Sequence, residues 1–431
     1  MDCHLWLGGK TLKVLVIGSG AREHTLVWKL SQSPKVTELY AAPGNAGTAK
    51  IAQNLNIKAE DIDELVKFAV SNRLDLTVVG PEAPLAAGIA DKLIASKLAV
   101  FGPAKAAAEI ESSKVFAKEL MLKHCIPCAR SASFSDFEQA KDYVGKQTPP
   151  VVIKADGLAA GKGVIIAETI PDAEETLSGM MQAKSFGSAG NKVVIEEYLY
   201  GRELSFFVFS DGQNILPTVP ACDYKRIFDG DKGPNTGGMG SYSPPPFFNP
   251  ALADVITGTI MHPTVLALKD DNRTYKGVLY GGLIITNRVP KVIEFNARLG
   301  DPETQVVLPR LKTDLLDIMM AVVENKLEQV SMEWSEDACV GVVMASGGYP
   351  GSYKTGYPIS GLDDVDEDIL VFHAGTRLNP EGQVLTSGGR VLTVVALGKD
   401  LKEAREKVYN NITRINFEGC QYRKDIADIP D

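Results

Sequence analysis

Residues 291–301 read Lys-Val-Ile-Glu-Phe-Asn-Ala-Arg-Leu-Gly-Asp. On a strand, alternate side chains share a face, so Glu294, Asn296 and Arg298 project together while Val292, Ile293 and Phe295 supply packing. A carboxylate and an amide oxygen two residues apart, beside a guanidinium, suit a hard cation bound to phosphate oxygens. Magnesium takes one or two protein oxygens and fills its octahedron with phosphate and water. The competing reading is a solvated strand face with an Arg–Glu pair. Lys154 ends the apolar run 151–153, where a cation is costly to bury without an anion to neutralise. Lys114 opens a helix after Ser112-Ser113. Either lysine alone reads as structural. The run Ala155-Asp-Gly157-Leu-Ala-Ala-Gly161-Lys162-Gly163 changes that, because glycine backbone amides approach phosphates closely. Glu196-Glu197-Tyr198-Leu199 at a strand end, with Glu203 about one loop away, offers apolar walls and edge backbone groups for an adenine base and a carboxylate for a ribose hydroxyl.

Several other chemistries fail on the same residues. A Walker A loop needs Ser or Thr after its lysine and runs from strand to helix. Here Gly163 follows Lys162, and an apolar strand, 164–167, leaves at once. The segment is therefore a β-hairpin flap. Gly18-Ser19-Gly20 ends an apolar strand, but a dinucleotide fingerprint needs glycine at 23 and an acid at the end of the second strand. Glu23 and Tyr40-Ala-Ala-Pro43 stand there instead, which counts against a nicotinamide-dependent oxidoreductase. His124-Cys125-Ile126-Pro127-Cys128 is a CxxC with no second ligand pair at zinc spacing; it reads as reduced thiols at a helix end. Cys3, Cys222, Cys339 and Cys420 are isolated. Five scattered histidines form no visible triad.

These residues need a scaffold of roughly three domains, at ~150 residues each for a chain of 431. Hydrophobic residues at 45% and charged residues at 23% describe an ordinary globular chain. With 45 basic against 54 acidic residues the net charge is −9, a poor balance for neutralising nucleic-acid phosphates. The opening residues lack a secretory pattern, no apolar run approaches the ~18 residues of a membrane span, and the chain reads as cytoplasmic. Short apolar strands at 12–17, 36–40, 75–80 and 98–101 alternate with helices at 22–30, 59–72 and 85–94. That alternation implies a parallel sheet covered on both faces, whose glycine-rich carboxyl ends are where ligands sit. A helix over 112–124 follows, then strands at 151–154, 164–167, 193–197, 203–209, 277–286 and 291–295. The stretch 219–248 reads as a long irregular loop, and such a loop inside a compact domain is usually functional. From about 333, strands at 340–345, 370–373 and 390–396, a helix at 401–414 and a closing strand make a small α+β domain.

The order of lysine, strand lysine, glycine flap, Glu-Glu-Tyr-Leu with Glu203, then Glu-x-Asn resembles the ATP-grasp enzymes, which sandwich ATP between two α+β lobes. Longer strings narrow the resemblance. They are residues 16–24, 42–48 (Ala-Pro-Gly-Asn-Ala-Gly-Thr), 79–84 (Val-Gly-Pro-Glu-Ala-Pro), 155–163, 234–240 (Pro-Asn-Thr-Gly-Gly-Met-Gly), 294–303 and 387–391. Together they resemble the phosphoribosylamine–glycine ligases of de novo purine synthesis, from about Lys13 to Asp425. Many ATP-grasp enzymes carry an acidic metal ligand on the strand before Glu294; residues 277–286 have none, and residues 1–11 have no counterpart.

The resemblance implies an α/β and α+β multidomain fold. Its parts are an N-terminal parallel-sheet domain at 1–110, a two-lobe ATP-grasp core at 111–332 with its flap-bearing lobe about 125–195, and a C-terminal α+β domain at 333–431. It implies that glycine is activated by ATP as glycyl phosphate and joined to 5-phosphoribosylamine. Magnesium or manganese would sit on Glu294 and Asn296. Lys114 and Lys154 would cancel phosphate charge under the flap of Gly157, Gly161, Lys162 and Gly163. Glu196, Glu197, Tyr198, Leu199 and Glu203 would hold the nucleoside, and Arg226 and Asn235 would reach the phosphates. Arg298, Lys154 and Asp301 would serve catalysis. Gly18, Gly20, Gly44, Asn45, Gly47, Pro81 and Glu82 would hold the phosphoribosyl substrate. The alternatives are another ATP-grasp carboxylate–amine ligase or carboxylase, and a non-catalytic nucleotide-binding regulatory module. The partners implied are small molecules, with no nucleic acid and no membrane, in a chain that is monomeric or fused to other purine-pathway domains.

Overall fold

The computed structural model describes residues 12–158, 163–287 and 289–429. Leu12–Gly18 has no polar alternation, and it becomes the central strand of a five-stranded parallel sheet buried on both faces. Val36–Pro43 and Gln53–Asn54 lie on one side of it, Leu76–Val79 and Val100–Phe101 on the other. The strand order therefore reverses at Leu12–Gly18, which puts a ligand crevice beyond Gly18 and Gly80. The helix expected over 85–94 is two helices, Glu82–Ala87 and Ile89–Ala95, broken at Gly88, whose φ is +89°.

The flap lobe is an antiparallel sheet of Ser131–Phe134, Val193–Glu197, Val151–Ala155 and Val164–Ala167 in that spatial order. The facing lobe orders Ile215–Pro217, Arg202–Asp211, Lys276–Thr286 and Val289–Asn296. Its register passes from Gly282↔Glu294 to Leu283↔Val292, so Ile293 is an extra, unpaired residue. That bulge re-aims the edge of the strand at the point where chemistry was expected. It also explains why Val292 and Phe295 are buried while Ile293 is only half-buried.

A fourth sheet corrects the reading of 219–248 as irregular. It runs Cys222–Asp223, Gly240–Ser243, Ala338–Ala345, Arg390–Gly398 and Leu370–His373, so the stretch lends two strands to the C-terminal sheet. Between them stands a small hairpin of Arg226–Phe228 and Lys232–Asn235. The closing strand expected after the helix Leu401–Ile412 does not form. Beyond it, among the described residues, lie only the isolated bridges Ala345↔Gln421 and Ser360↔Asn416. One helix not foreseen, Pro250–Asp270, reaches a mean hydropathy of 1.4 and is long enough to span a membrane by length and composition alone. Its Ile256, Ile260, Met261, Val265 and Leu268 are buried in the main core cluster, as in a packed helix.

The N-terminal domain meets the C-terminal sheet through two histidines. His24 Nδ1 accepts from the His373 backbone N–H at 2.8 Å, and the two rings lie 5.5 Å apart. A Cβ at Gly47 would come within 2.2 Å of the His24 ring, so glycine is what lets the ring seat. Burial lowers the His24 pKa to about 3, with His373 and Lys50 adding to it; burial lowers His373 to about 4. The unfolded chain therefore binds protons below pH ~6.5 that the folded chain refuses, so this stability is present above that pH and is lost as pH falls. For His24 alone the loss reaches about 2 kcal/mol by pH 5. We expect His24→Asn, which keeps an acceptor but removes the titration, to flatten the fall in Tm between pH 7 and 5. An unchanged slope by calorimetry would refute it.

Candidate active site

Strand 151–155 and helix Lys114–Lys123 bring three lysines together at the base of the flap. Lys154 is 3% exposed, its Nζ donating to the Ile293 carbonyl at 3.0 Å and pairing with Glu196 Oε1 at 3.1 Å. The carbonyl it uses belongs to the bulged residue, so the bulge across the cleft is what makes the acceptor available. Lys118, one turn after Lys114, pairs with the other oxygen of Glu196 at 3.2 Å. Lys114 Nζ donates to the Gly157 carbonyl at 2.8 Å. Asp156 accepts from Ser113 Oγ and the Val115 N–H, fixing the flap's base to the helix N-terminus. Ala155 N donates to Gly163 O, which closes the hairpin. Gly161 and Lys162 lie outside the described residues. Burial lowers the pKa of Lys114, opposed by Glu294, and of Lys118, opposed by Glu196.

Glu294 faces this group across the cleft. Burial alone would raise its pKa, but Lys225, Lys154 and Lys114 outweigh burial and hold it below the ordinary value. Its carboxylate therefore stays ionised. Asn296 is 9% exposed and Arg298 Nη2 donates to its Oδ1 at a long 3.4 Å, which leaves the amide oxygen available. Among the described residues no three or more His, Cys, Asp or Glu could jointly hold a metal ion. One carboxylate with one amide oxygen fits a cation that takes its remaining ligands from phosphate and water, so the donor set suits magnesium or manganese on a nucleotide.

The nucleoside residues divide. Glu196 is 4% exposed and committed to Lys118 and Lys154. Glu197 accepts from the Arg130 backbone and guanidinium and pairs with Lys291 at 3.5 Å, so both carboxylates hold protein rather than base. Tyr198 and Leu199 are half-buried at the strand's end, Tyr198 stacking edge-on with Tyr200 at 4.8 Å. Glu203 pairs with Lys225. Arg226 Nη1 donates to the Gly233 carbonyl and Asn235 is exposed opposite it. Among the described residues neither makes a polar contact with the lysine group.

The remaining residues meet where the three domains converge. Arg298 pairs with Glu111 at 2.9 Å and Glu82 at 3.3 Å. Burial disfavours its cation, but Glu111, Glu82 and Glu303 outweigh that and raise its pKa. Asp301 pairs with Arg390 at 3.2 Å and accepts from Gln305; burial would raise its pKa, yet Arg390 and Arg22 hold it low. Glu23 fills the crevice of the parallel sheet. Its carboxylate accepts from the Gly20 N–H at 2.7 Å and pairs with Arg22, and a Cβ at Gly18 or Gly80 would strike it at 2.4 or 2.2 Å. A carboxylate already sits where a dinucleotide's pyrophosphate would lie. Pro81 precedes the helix that carries Glu82. Asn45 is 5% exposed and stitches Ser19, Gly47 and His373 together, while Gly44 has φ +72° against Asn54 and Thr48. Gly44, Asn45 and Gly47 thus shape the loop from within.

Sequence reasoning missed Lys225, Asp223 and Glu303. Burial raises the Asp223 pKa to about 7, with Lys225 opposing and Glu303 and Glu203 adding. Burial lowers the Lys225 pKa, but Asp223, Glu203 and Glu294 outweigh it and raise the value. Glu303 accepts from Ser205 Oγ and the Tyr280 hydroxyl. Its carboxylate thus stands beside strand 276–286, which has no acid of its own. The string Cys222-Asp-Tyr-Lys-Arg226 was visible, but its contact with Glu203 depends on a pairing that sequence spacing does not encode.

The chain matches family models over nearly its whole length: the phosphoribosylglycinamide synthetase N domain at 12–111, the ATP-grasp (A) domain at 112–304 and the C domain at 339–429. It is 50% identical over 416 residues to the phosphoribosylamine–glycine ligase of Caldanaerobacter subterraneus subsp. tengcongensis, covering 96% of this chain and 99% of that one. It is 49% identical over 420 residues to that of Escherichia coli O157:H7, at 96% and 98% coverage. The crystal structure of phosphoribosylamine–glycine ligase from Thermotoga maritima superposes with a TM-score of 0.85 at 33% identity, covering 96% and 100%. The biotin carboxylase domain of Hydrogenobacter thermophilus 2-oxoglutarate carboxylase reaches 0.74 at 15% identity, covering 96% and 92%, a likeness of fold.

Glu196→Gln would leave two buried lysines without their shared anion. We expect a loss of about 3–5 kcal/mol in stability, as for one broken partner of a buried ion pair, measured by denaturant unfolding. A loss below ~1 kcal/mol would contradict the buried triad.

Proposed function

The chain belongs to the phosphoribosylglycinamide synthetase family, and we propose that it joins glycine to 5-phosphoribosylamine at the expense of ATP, releasing ADP and phosphate. It is a C–N ligase of the ATP-grasp type, acting in purine synthesis. The observation that carries the reading is the cationic group of Lys114, Lys118 and Lys154 facing ionised Glu294 and available Asn296 across a cleft.

In this reading a glycine carboxylate oxygen attacks the γ-phosphorus, the bond to the β-phosphate oxygen breaks, and ADP leaves. The amine nitrogen of phosphoribosylamine then attacks the acyl carbon of glycyl phosphate, the carbon–oxygen bond breaks, phosphate departs and the amine loses a proton. Such transfer depends on positioning and charge stabilisation more than on a protein nucleophile. Lys114 and Lys154 neutralise phosphate oxygens. The 157–163 flap excludes water that would hydrolyse the acyl phosphate. Tyr198 and Leu199 wall the base, and Glu203, shared with Lys225, takes a ribose hydroxyl. Bound magnesium or manganese, held by Glu294 and Asn296, supplies charge neutralisation at the phosphates. Arg298, locked between Glu82 and Glu111, orients an anionic group at the three-domain junction, with Asp301 beside it. The phosphoribosyl group fits near Gly18, Gly20 and the 44–47 loop, displaced from the helix N-terminus by Glu23. Its substrates are small molecules and we place the reaction in the cytoplasm.

ADP release with Mg-ATP, glycine and fresh phosphoribosylamine, each omitted in turn, tests the assignment. Dependence on both glycine and the amine is expected; dependence on bicarbonate instead would move the chain to carboxylase chemistry. We expect Glu294→Ala to lower turnover by a factor on the order of 100 or more, since it removes the anionic metal ligand; loss within tenfold would refute that role. Lys154→Ala should raise the ATP dissociation constant roughly tenfold by calorimetry, and unchanged affinity would refute its phosphate contact.

A further inference from the structure

The hairpin of Arg226–Phe228 and Lys232–Asn235 follows directly on Lys225, and it has little to hold itself up. All four residues of 232–235 are exposed, as is Phe228 at 55%. Its one buried side chain, Ile227, packs with Met239 and with Ala345 of the C-terminal sheet; a two-stranded hairpin with so little of its own to bury is marginal alone, so its position is imposed from outside. The C-terminal domain imposes it. Arg423 is 1% exposed; its guanidinium donates to the Arg226 carbonyl at 3.0 Å, to Asp231 at 2.8 Å and to both oxygens of Asp425 at 2.7 and 2.6 Å, and lies 4.7 Å over the Tyr224 ring. Asp425 also accepts from the Gly230 N–H, Asp229 accepts from the Lys424 N–H, and the Tyr224 hydroxyl accepts from the Ala427 N–H. At the loop's far end Arg390 Nη1 donates to the Gly237 carbonyl at 2.7 Å and the Asp301 carbonyl at 3.0 Å, while Tyr349 accepts from the Gly237 N–H.

Lys225 lies between these two grips. Its carbonyl accepts from the Thr236 N–H and hydroxyl at 2.7 and 2.8 Å, and its ammonium pairs with Glu203 and lies near Asp223. We propose that Arg423 is a positioning residue for the ligase reaction: by clamping the 226–235 hairpin it fixes Lys225 against Glu203 in the nucleotide cleft. The C-terminal domain thereby sets cleft geometry without touching the nucleotide. A planar guanidinium spans two carboxylates and a carbonyl that a lysine cannot reach together. The inference rests on the reading of the cleft proposed above.

The test uses the full chain, with Arg423→Met, Arg423→Lys and Asp231→Asn, the last keeping a side chain that tolerates the φ of +51° at 231. Amide exchange over residues 224–239 should quicken at least about tenfold in Arg423→Met as the hairpin opens locally. Its kcat should fall about tenfold, as for a misplaced cleft group, with Mg-ATP affinity within about threefold because Lys114 and Lys154 stand on other elements. Arg423→Lys should recover part of kcat. Should Arg423→Met not fold, Asp231→Asn gives the same pattern at smaller amplitude. Arg414→Ala, which breaks only the pair with Asp366 and the bond to the Asp364 carbonyl, should leave kcat and exchange at 224–239 unchanged. Unchanged exchange, or faster exchange with unchanged kcat, overturns the proposal. Absence of ligation in the wild-type chain would instead overturn the reaction, and the exchange result would then judge the clamp by itself.

Discussion

One carboxylate shared by two buried lysines governs the site. Glu196, at 4% exposure, lies 3.2 Å from Lys118 and 3.1 Å from Lys154, and it cannot neutralise both. Burying an uncompensated ammonium costs several kcal/mol, and Lys114 adds a third cation close by. Glu294 offsets part of this surplus from the opposite lobe, but Lys225 competes for it. The cleft is thus assembled around a positive charge that a triphosphate would complete, and both lobes are needed to assemble it.

The rest of the architecture serves that arrangement. The bulge at Ile293 turns a carbonyl toward Lys154 and sets Glu294 and Asn296 on the cleft side. Asp156 ties the flap to the helix of Lys114 and Lys118. Just past the C-terminal end of strand Val289–Asn296, Arg298 joins Glu82 of the parallel-sheet domain to Glu111, and Arg390 joins the C-terminal sheet to Asp301. Charge pairs meet where three domains share continuous apolar clusters, so their relative placement and the electrostatics of the cleft are one problem.

Much of this was legible in the residues. The parallel sheet followed from unbroken apolar runs and glycine-rich strand ends, and Glu23 at the third fingerprint position foretold a crevice closed to a dinucleotide. The hairpin of Val151–Ala155 and Val164–Ala167 followed from local spacing. What escaped depended on long-range pairing. Lys225 and Glu203 are 22 residues apart, and they meet because an antiparallel bridge joins Ser205 to Ala221, a pairing that local spacing does not announce. The bulge escaped because strict alternation places Ile293 in the core. Glu196 read as a nucleoside ligand because a strand-end carboxylate looks the same in sequence whether it faces a base or two lysines.

Lysines held below their usual pKa that then meet phosphate carry a thermodynamic signature. Lys114 and Lys118 bind protons less readily in the free protein than lysines usually do, and contact with phosphate must restore that affinity. Calorimetry of Mg-ATP binding near pH 9.5, repeated in buffers of different ionisation enthalpy, counts the protons exchanged. Net proton uptake that shrinks in Lys114→Met is expected. Zero uptake, or uptake unaffected by that substitution, would contradict it.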